Sequence, residues 1–171
     1  AHIIGVSMGG MIAQTMAINN PERVLSLTSL MSTGFIEDPE LPGIDGTFIY
    51  EMLRVSLKYI LISSETNMIK LSVAVRLMLQ ADTGGDMDIK SDAERRLYNL
   101  RVRKGVNYNV SNQHLAAVSI SGSRYDDLKN LQVPTLVIHG KVDPMIPFEH
   151  GLKCAELIPG ADTLWIEKMG H

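Results

Sequence analysis

The sequence predicts an α/β fold in which helices cover a mostly parallel sheet. Four short apolar runs, at residues 1–6, 24–30, 135–139 and 163–167, are bounded by glycine, proline, asparagine or aspartate, as β-strands usually are. The pairs Ile3-Ile4 and Val137-Ile138 are continuous and not alternating, which is typical of parallel strands covered on both faces. Helical patterns between these runs complete the strand–helix alternation of an α/β sheet.

Helices are predicted directly after the first and third strands. Residues 11–17 place apolar side chains at helical spacing, and Asn-Asn-Pro at 19–21 ends the run. Residues 152–158 form a second amphipathic pattern, which Pro-Gly at 159–160 ends. We expect a helix after the second strand as well.

The segment between the second and third strands has a different character. Helical patterns occur at 48–62, 66–79, 92–104 and 112–120, with a polar loop at 81–90. A parallel crossover needs only one helix, so this number of helices indicates an inserted helical lid. The predicted division is a core at 1–34, a lid at 35–125 and a core at 126–171.

Composition excludes several classes of protein. The 171 residues suit one domain, and 45 % hydrophobic residues provide a core. The net charge of −3 and the scattered lysines and arginines argue against nucleic acid and acidic membrane surfaces as partners. Cys154 is the single cysteine, so no internal disulfide can form. The sequence has no apolar run that could span a bilayer and no visible signal peptide, so we expect a cytoplasmic protein.

Both ends of the chain interrupt a pattern. The sequence opens at Ala1 inside a predicted strand and stops at His171, directly after Gly170. We therefore expect a fragment of a longer protein, and we expect the isolated fragment to be inactive.

The motif at residues 5–10, GVSMGG, contains the pattern G-x-S-x-G between a predicted strand and a predicted helix. So tight a turn strains the middle residue. We expect glycine to be required at both Gly5 and Gly9, because side chains there would collide. Ser7 is then exposed at the carboxyl end of a parallel strand, where open α/β sheets bind ligands. The N–H of Met8, at the start of the helix, can stabilise an oxyanion. The alternative is a glycine-rich turn without catalytic function.

A nucleophilic serine needs a histidine base and a carboxylate, which follow the serine in this order along such a chain. Asp143 follows the third strand and His171 follows the fourth, so both side chains belong at the same sheet edge as Ser7. The alternatives are a turn aspartate before Pro144 and a surface histidine. We predict that Ser7 is the nucleophile, Asp143 the acid and His171 the base.

The remaining histidines are predicted to have structural or surface positions. His2 and His139 lie in predicted strands and should be hydrogen-bonded interior residues. His150 lies on an amphipathic helix. His114 lies on a predicted lid helix, at the surface or facing a substrate. No pattern of metal-ligand spacing stands out, and we predict no metal and no cofactor.

Together these residues resemble the α/β-hydrolase superfamily, over residues 1–34 and 115–171. The stretches 121–124 (SGSR), 133–151 and 158–171 are similar to the esterase branch that includes aclacinomycin methylesterase. The resemblance implies a complete fold of eight strands in the order 1-2-4-3-5-6-7-8, of which this chain holds strands 5 to 8. It assigns the triad to Ser7, Asp143 and His171 and one oxyanion donor to Met8. A second oxyanion donor would lie on the loop after strand 3.

The predicted function is a serine hydrolase that cleaves carboxylic esters through an acyl-enzyme. The apolar lid suggests a small or medium hydrophobic substrate. Hydrolysis of a C–C bond, thioester or amide by the same triad remains open, and so does a ligand-binding protein of this fold with little turnover. The sequence does not predict an oligomeric state.

Overall fold

The computed structural model describes residues 1–61, 64–80, 87–103, 105 and 108–171. Its centre is a four-stranded sheet in the order β1-β2-β3-β4, and every neighbouring pair is parallel. The predicted parallel α/β sheet is therefore confirmed, with strand ends within one or two residues of the predicted ones. The strands are β1 (His2–Val6), β2 (Ser26–Leu30), β3 (Thr135–Gly140) and β4 (Asp162–Ile166).

Seven α-helices lie in the described part of the chain. Each predicted helix is present, although the predicted ends at 62 and 104 and most of the predicted loop 81–90 lie outside the described residues. A single turn at Pro21–Arg23 and the short helix before β3 were not predicted. The helices are α1 (Met8–Asn19), α2 (Gly46–Ile60), α3 (Glu65–Gln80), α4 (Ile89–Arg101), α5 (Tyr108–Ile120), α6 (Tyr125–Leu128) and α7 (Phe148–Leu157).

The hydrophobic core lies between the sheet and helices α1, α6 and α7. Leu27 and Leu128 are fully buried, and Ile158 is 2 % exposed. Burying a side chain of this size stabilises the fold by about 1.5–3 kcal/mol. Small residues of α1, including Ala13 and Ala17, allow this helix to pack closely on β1 and β2.

The two outer strands are less covered than the inner strands. Ile4 of β1 is 71 % exposed, and Leu164 of β4 is 48 % exposed. Side chains of β1 and β4 are therefore open on one face, whereas Val137 of the inner strand β3 is buried. Among the described residues, no helix has both the length and the apolar character needed to cross a membrane.

Candidate active site

Ser7 lies at the turn between β1 and α1. Its φ of 54° and ψ of −124° place it in the left-handed region, which few residues other than glycine adopt. The neighbouring strand holds this conformation. The Ser7 N–H donates to the carbonyl of Leu30 (2.9 Å), and the Ser7 carbonyl accepts from the hydroxyl of Ser32 (2.8 Å). The strained backbone at this elbow is thus fixed by β2 and the residues after it.

The glycines around Ser7 differ in whether a side chain could be accommodated in their place. A Cβ at Gly5 would overlap the carbonyl oxygen of Gly9, so the prediction for Gly5 is confirmed. The prediction for Gly9 is wrong, because a Cβ there would meet no atom within 4 Å. The second tight position is Gly10, where a Cβ would lie 2.5 Å from the Cβ of Ser32.

The structure brings the three predicted triad side chains together. His171 Nε2 lies 2.9 Å from Ser7 Oγ, and His171 Nδ1 lies 2.8 Å from Asp143 Oδ2. A carboxylate can only accept, so the Nδ1–H donates to Asp143. The Nε2 atom then accepts from the Ser7 hydroxyl. This is the arrangement in which a histidine can take the proton of a serine.

Asp143 is fixed from its other side by the backbone. Its Oδ1 accepts from the N–H groups of Met145 (2.9 Å) and Ile146 (2.8 Å). The residue is only 6 % exposed, so water does not compete for these bonds. One carboxylate oxygen of Asp143 therefore binds the backbone of the following turn, and the other binds His171.

His139 is buried beside Asp143 in a supporting position. Its Nε2–H donates to the carbonyl of Ile146 (2.8 Å), and the same nitrogen lies 3.6 Å from Asp143 Oδ2. Burial lowers the pKa of His139, which favours the neutral ring. The expectation of a hydrogen-bonded interior residue holds for His139.

The backbone of His171 is attached to the end of α3. The N–H of His171 donates to the carbonyl of Leu79 (2.7 Å), and the N–H of Gly170 donates to the carbonyl of Gln80 (3.2 Å). A side chain at position 170 would overlap the Leu79 carbonyl oxygen, so glycine is required there. No signal in the sequence links position 79 to position 171.

Met8 is the first residue of α1 and follows Ser7 directly. Its backbone N–H has no acceptor among the described residues. The first N–H groups of a helix have no partner within the helix, and the helix dipole makes this end partly positive. A donor of this kind beside Ser7 is suited to bind an anionic oxygen.

A cavity of about 590 Å³ adjoins the base. This volume lies within the range of small-molecule sites. Apolar side chains and two arginines form most of its wall. The lining residues are Met31, Val75, Arg76, Leu79, Gln80, Met87, Arg96, Met169, Gly170 and His171.

The other histidines lie away from Ser7. His2 bonds the hydroxyl of Ser26 (2.7 Å) but is exposed, so its predicted interior position is wrong. His150 is buried on α7, and His114 is exposed on α5 and lines a second cavity of about 350 Å³. Within the described ranges, no three histidine, cysteine, aspartate or glutamate side chains cluster as metal ligands would.

Arg124, the last residue of the SGSR stretch, forms a buried network. It donates to the Gln14 side chain (3.2 Å) and to the carbonyl of Thr33 (3.0 Å). These bonds join the start of α6 to α1 and to the loop after β2. The stretch thus has a structural role in the core next to the site.

Comparison with known proteins shows one family. The model for the alpha/beta hydrolase fold matches residues 1–171. The rhodomycin D methylesterase DauP of Streptomyces sp. (strain C5) is 27% identical over 183 residues, which cover 100% of this chain and 60% of that protein. The 2-hydroxymuconate semialdehyde hydrolase of Pseudomonas putida is 27% identical over 99% of this chain and 55% of its own length.

A solved structure, a hydrolase from Pseudomonas aeruginosa PA01, superposes with a TM-score of 0.67 at 21% identity. The match covers 100% of this chain and 57% of that one. At this identity the likeness concerns the fold alone. The chain spans about 60% of the length of the methylesterase that it matches.

Proposed function

This chain belongs to the α/β-hydrolase fold family, and from this premise we propose that it carries the serine nucleophile, acid and base of a carboxylic ester hydrolase. The observation that supports the proposal most is the continuous hydrogen-bonded chain from Ser7 through His171 to Asp143. The similarity to a methylesterase supports an ester as the substrate.

In the proposed reaction, Ser7 Oγ attacks the carbonyl carbon of the ester while its proton passes to His171 Nε2. Asp143 stabilises the imidazolium that results and keeps the ring in one tautomer. The tetrahedral intermediate collapses when His171 returns the proton to the leaving alkoxide, and an acyl-enzyme remains. Water, activated by the same histidine, then attacks the acyl-enzyme and releases the acid.

The N–H of Met8 is the proposed oxyanion donor. The carbonyl oxygen becomes negative only in the transition state, so a donor that waits beside Ser7 stabilises that state selectively. One such donor contributes roughly 3 kcal/mol to the lowering of the barrier. The chemistry needs no cofactor.

Helices α2 to α5 are proposed to form a lid within residues 35–125, and the four strands to correspond to strands 5 to 8 of the family. In this arrangement the second oxyanion donor would come from the loop after strand 3 of the complete fold. The apolar wall beside His171, which includes Val75, Leu79 and Met87, favours a small or medium hydrophobic acyl group.

Hydrolysis of a C–C bond is the second candidate. A relative that is 27% identical over 99% of the chain is named a 2-hydroxymuconate semialdehyde hydrolase. The same serine, histidine and aspartate can serve such a reaction. Ester cleavage is favoured because several of the similar proteins are named methylesterases or methyl ester esterases.

A fluorophosphonate probe tests the proposal on the complete gene product. We expect the probe to label Ser7 and p-nitrophenyl acetate to be hydrolysed. Ser7→Ala should abolish labelling and lower kcat by roughly 10⁶-fold. Ser26→Ala is the matched control, since Ser26 begins β2 at the opposite edge of the sheet.

The outcomes separate the candidates. Labelling without turnover of any ester would point to the C–C reaction or to a binding protein. Turnover by Ser7→Ala at a tenth of the wild-type rate would show that Ser7 is not the nucleophile.

A further inference from the structure

The cavity beside His171 is also lined by Met31, which lies next to the proposed nucleophile. Val6 pairs with Leu30 across β1 and β2, so Ser7 and Met31 are the next residues on two neighbouring strands. Met31 has a φ of 46°, and Ser7 and Met31 are the two non-glycine residues with positive φ among the described residues. Met31 thus combines a strained backbone with a side chain that lines the cavity. A substrate in the cavity would therefore contact the base and lie next to the nucleophile.

One part of this apolar cavity is cationic. Arg76 on α3 and Arg96 on α4 both approach Asp92, with Nε–oxygen distances of 3.5 Å and 3.7 Å. Two guanidinium groups and one carboxylate leave this cluster with a net charge of +1. Among the described residues, the cluster is thus one negative charge short of neutrality.

The pairing within the cluster is incomplete. Asp92 is 5 % exposed, and its Oδ2 has no hydrogen-bond partner among the described residues. The Nε of Arg96 is also buried, and it lies 3.7 Å from this same Oδ2, beyond hydrogen-bond length. Asp92 therefore pairs only loosely with Arg96, and such incomplete pairing of buried groups costs free energy. Arg76 is about half exposed, which leaves its other N–H groups available at the mouth of the cavity.

The cluster has a fixed position relative to the base. Arg76 precedes Leu79 by three residues and Gln80 by four, so the three residues lie on one face of α3. The carbonyls of Leu79 and Gln80 accept from the backbone of His171 and Gly170. The distance from Arg76 to Leu79 along the helix is about 4.5 Å. The C-terminal end of α3 thus connects Arg76 to His171, the proposed base.

We propose that this cavity selects esters whose apolar body ends in a carboxylate, and that Arg76 and Arg96 bind that carboxylate. This inference rests on the proposed esterase function and adds a substrate class to it. A carboxylate accepts two parallel N–H bonds from a guanidinium, and its negative charge would balance the remaining positive charge of the two arginines. The methionines and aliphatic residues of the wall contact the chain between the ester and the acid.

The competing explanation is that the two arginines only join α3 to α4 through Asp92. The two explanations predict opposite effects of Asp92→Asn. This change removes the internal anion and leaves both guanidinium groups, so carboxylate binding should persist or strengthen under our proposal. If the cluster is purely structural, Asp92→Asn and Arg76→Gln should change the preference for the carboxylate ester in the same way.

The test compares two series of methyl esters on the complete gene product. Monomethyl esters of α,ω-dicarboxylic acids with four to ten carbons are matched to methyl esters of monocarboxylic acids of equal length. The measured quantity is the ratio of kcat/KM for the two esters of one length. Both values come from the same preparation, so the ratio is independent of the fraction of folded enzyme.

We expect the wild type to prefer the carboxylate ester by about tenfold or more at one chain length. Arg76→Gln and Arg96→Gln should each lower that ratio by roughly tenfold, because KM for the carboxylate ester rises. Arg76→Lys should retain part of the preference. Arg95→Gln is the matched control, since Arg95 is an exposed neighbour on α4 outside the cavity lining, and it should leave the ratio unchanged.

A wild type without preference at any length would overturn the inference, as would a loss in Asp92→Asn equal to that in Arg76→Gln. The proposed function is judged separately. If neutral esters are turned over and Ser7 is labelled, the esterase proposal holds even when the carboxylate preference is absent.

Discussion

The two outer glycines of the G-x-S-x-G motif allow a paired test of the elbow geometry. In Gly5→Ala, the added Cβ would lie 2.5 Å from the carbonyl carbon of Gly9 and 2.7 Å from the Cα of Gly10. Ordinary carbon–carbon contacts are about 3.5–4.0 Å long. The first turn of α1 must therefore move by about 1 Å relative to β1, and this turn carries Met8.

Two separate losses follow from that displacement. Overpacking of this kind costs about 1–3 kcal/mol of folding free energy. For a chain of this size, each 1 kcal/mol lowers the Tm by about 2–4 °C. A displacement of about 1 Å at the reacting groups lowers kcat by roughly 100-fold. We expect Gly5→Ala to show both losses, with a Tm lower by about 2–12 °C.

Gly9→Ala is the matched control, since a Cβ there meets no atom within 4 Å. Alanine is also the better helix former, by up to about 1 kcal/mol, so the Tm should stay the same or rise slightly. Thermal unfolding and ester turnover of both variants, made in the complete gene product, provide the measurement. Equal Tm and equal kcat for the two variants would refute the steric explanation of the elbow.

Three further changes test other features of the chain. Asp143→Asn should lower kcat by roughly 10⁴-fold, because the amide nitrogen cannot accept a hydrogen bond from His171. The Tm should change little, because the amide oxygen can still accept from the N–H groups of Met145 and Ile146. Burial raises the pKa of Cys154 to about 11, so its thiol should react with a disulfide reagent at pH 8 only after unfolding. The free energy of unfolding should fall as the pH rises from about 9 to 11, because the thiol of the unfolded chain ionises first. Cys154→Ala should reduce this dependence, and the part that remains is expected from Tyr125, whose pKa burial also raises. Exchange of residues 46–80 for the same segment of a relative should change the ranking of ester substrates and leave probe labelling of Ser7 intact. An unchanged ranking would show that this segment does not select the substrate.

The sequence predicted the strands well because local signals mark them. The third strand was expected at 135–139 and extends over Thr135–Gly140. The second strand begins later than predicted, at Ser26, because Pro21–Arg23 forms a separate turn. The order of Ser7, Asp143 and His171 along parallel strands is itself enough to predict that their side chains lie at one edge of the sheet.

Features that depend on contacts between distant segments were not predictable. The bond from the His171 N–H to the Leu79 carbonyl involves backbone atoms, which have the same chemistry in every residue. The grouping of Arg76 with Asp92 requires the packing of α3 against α4, which helical periodicity does not give. The error at Gly9 has a similar origin, since the motif states which residue is present and not which atoms surround it. The division into core and lid at 35–125 stays a prediction.

The hydrogen bond between Ser7 and His171 joins residues 164 positions apart. Contacts of such long sequence separation form late, because the chain must first close the large loop between them. On this basis the proposed nucleophile becomes reactive only when the first and last strands have both entered the sheet. Labelling of Ser7 during refolding would then report the final step of folding, whereas circular dichroism would report the helices that form earlier. The delay would protect the nascent chain, because an incompletely folded protein would have no activated serine.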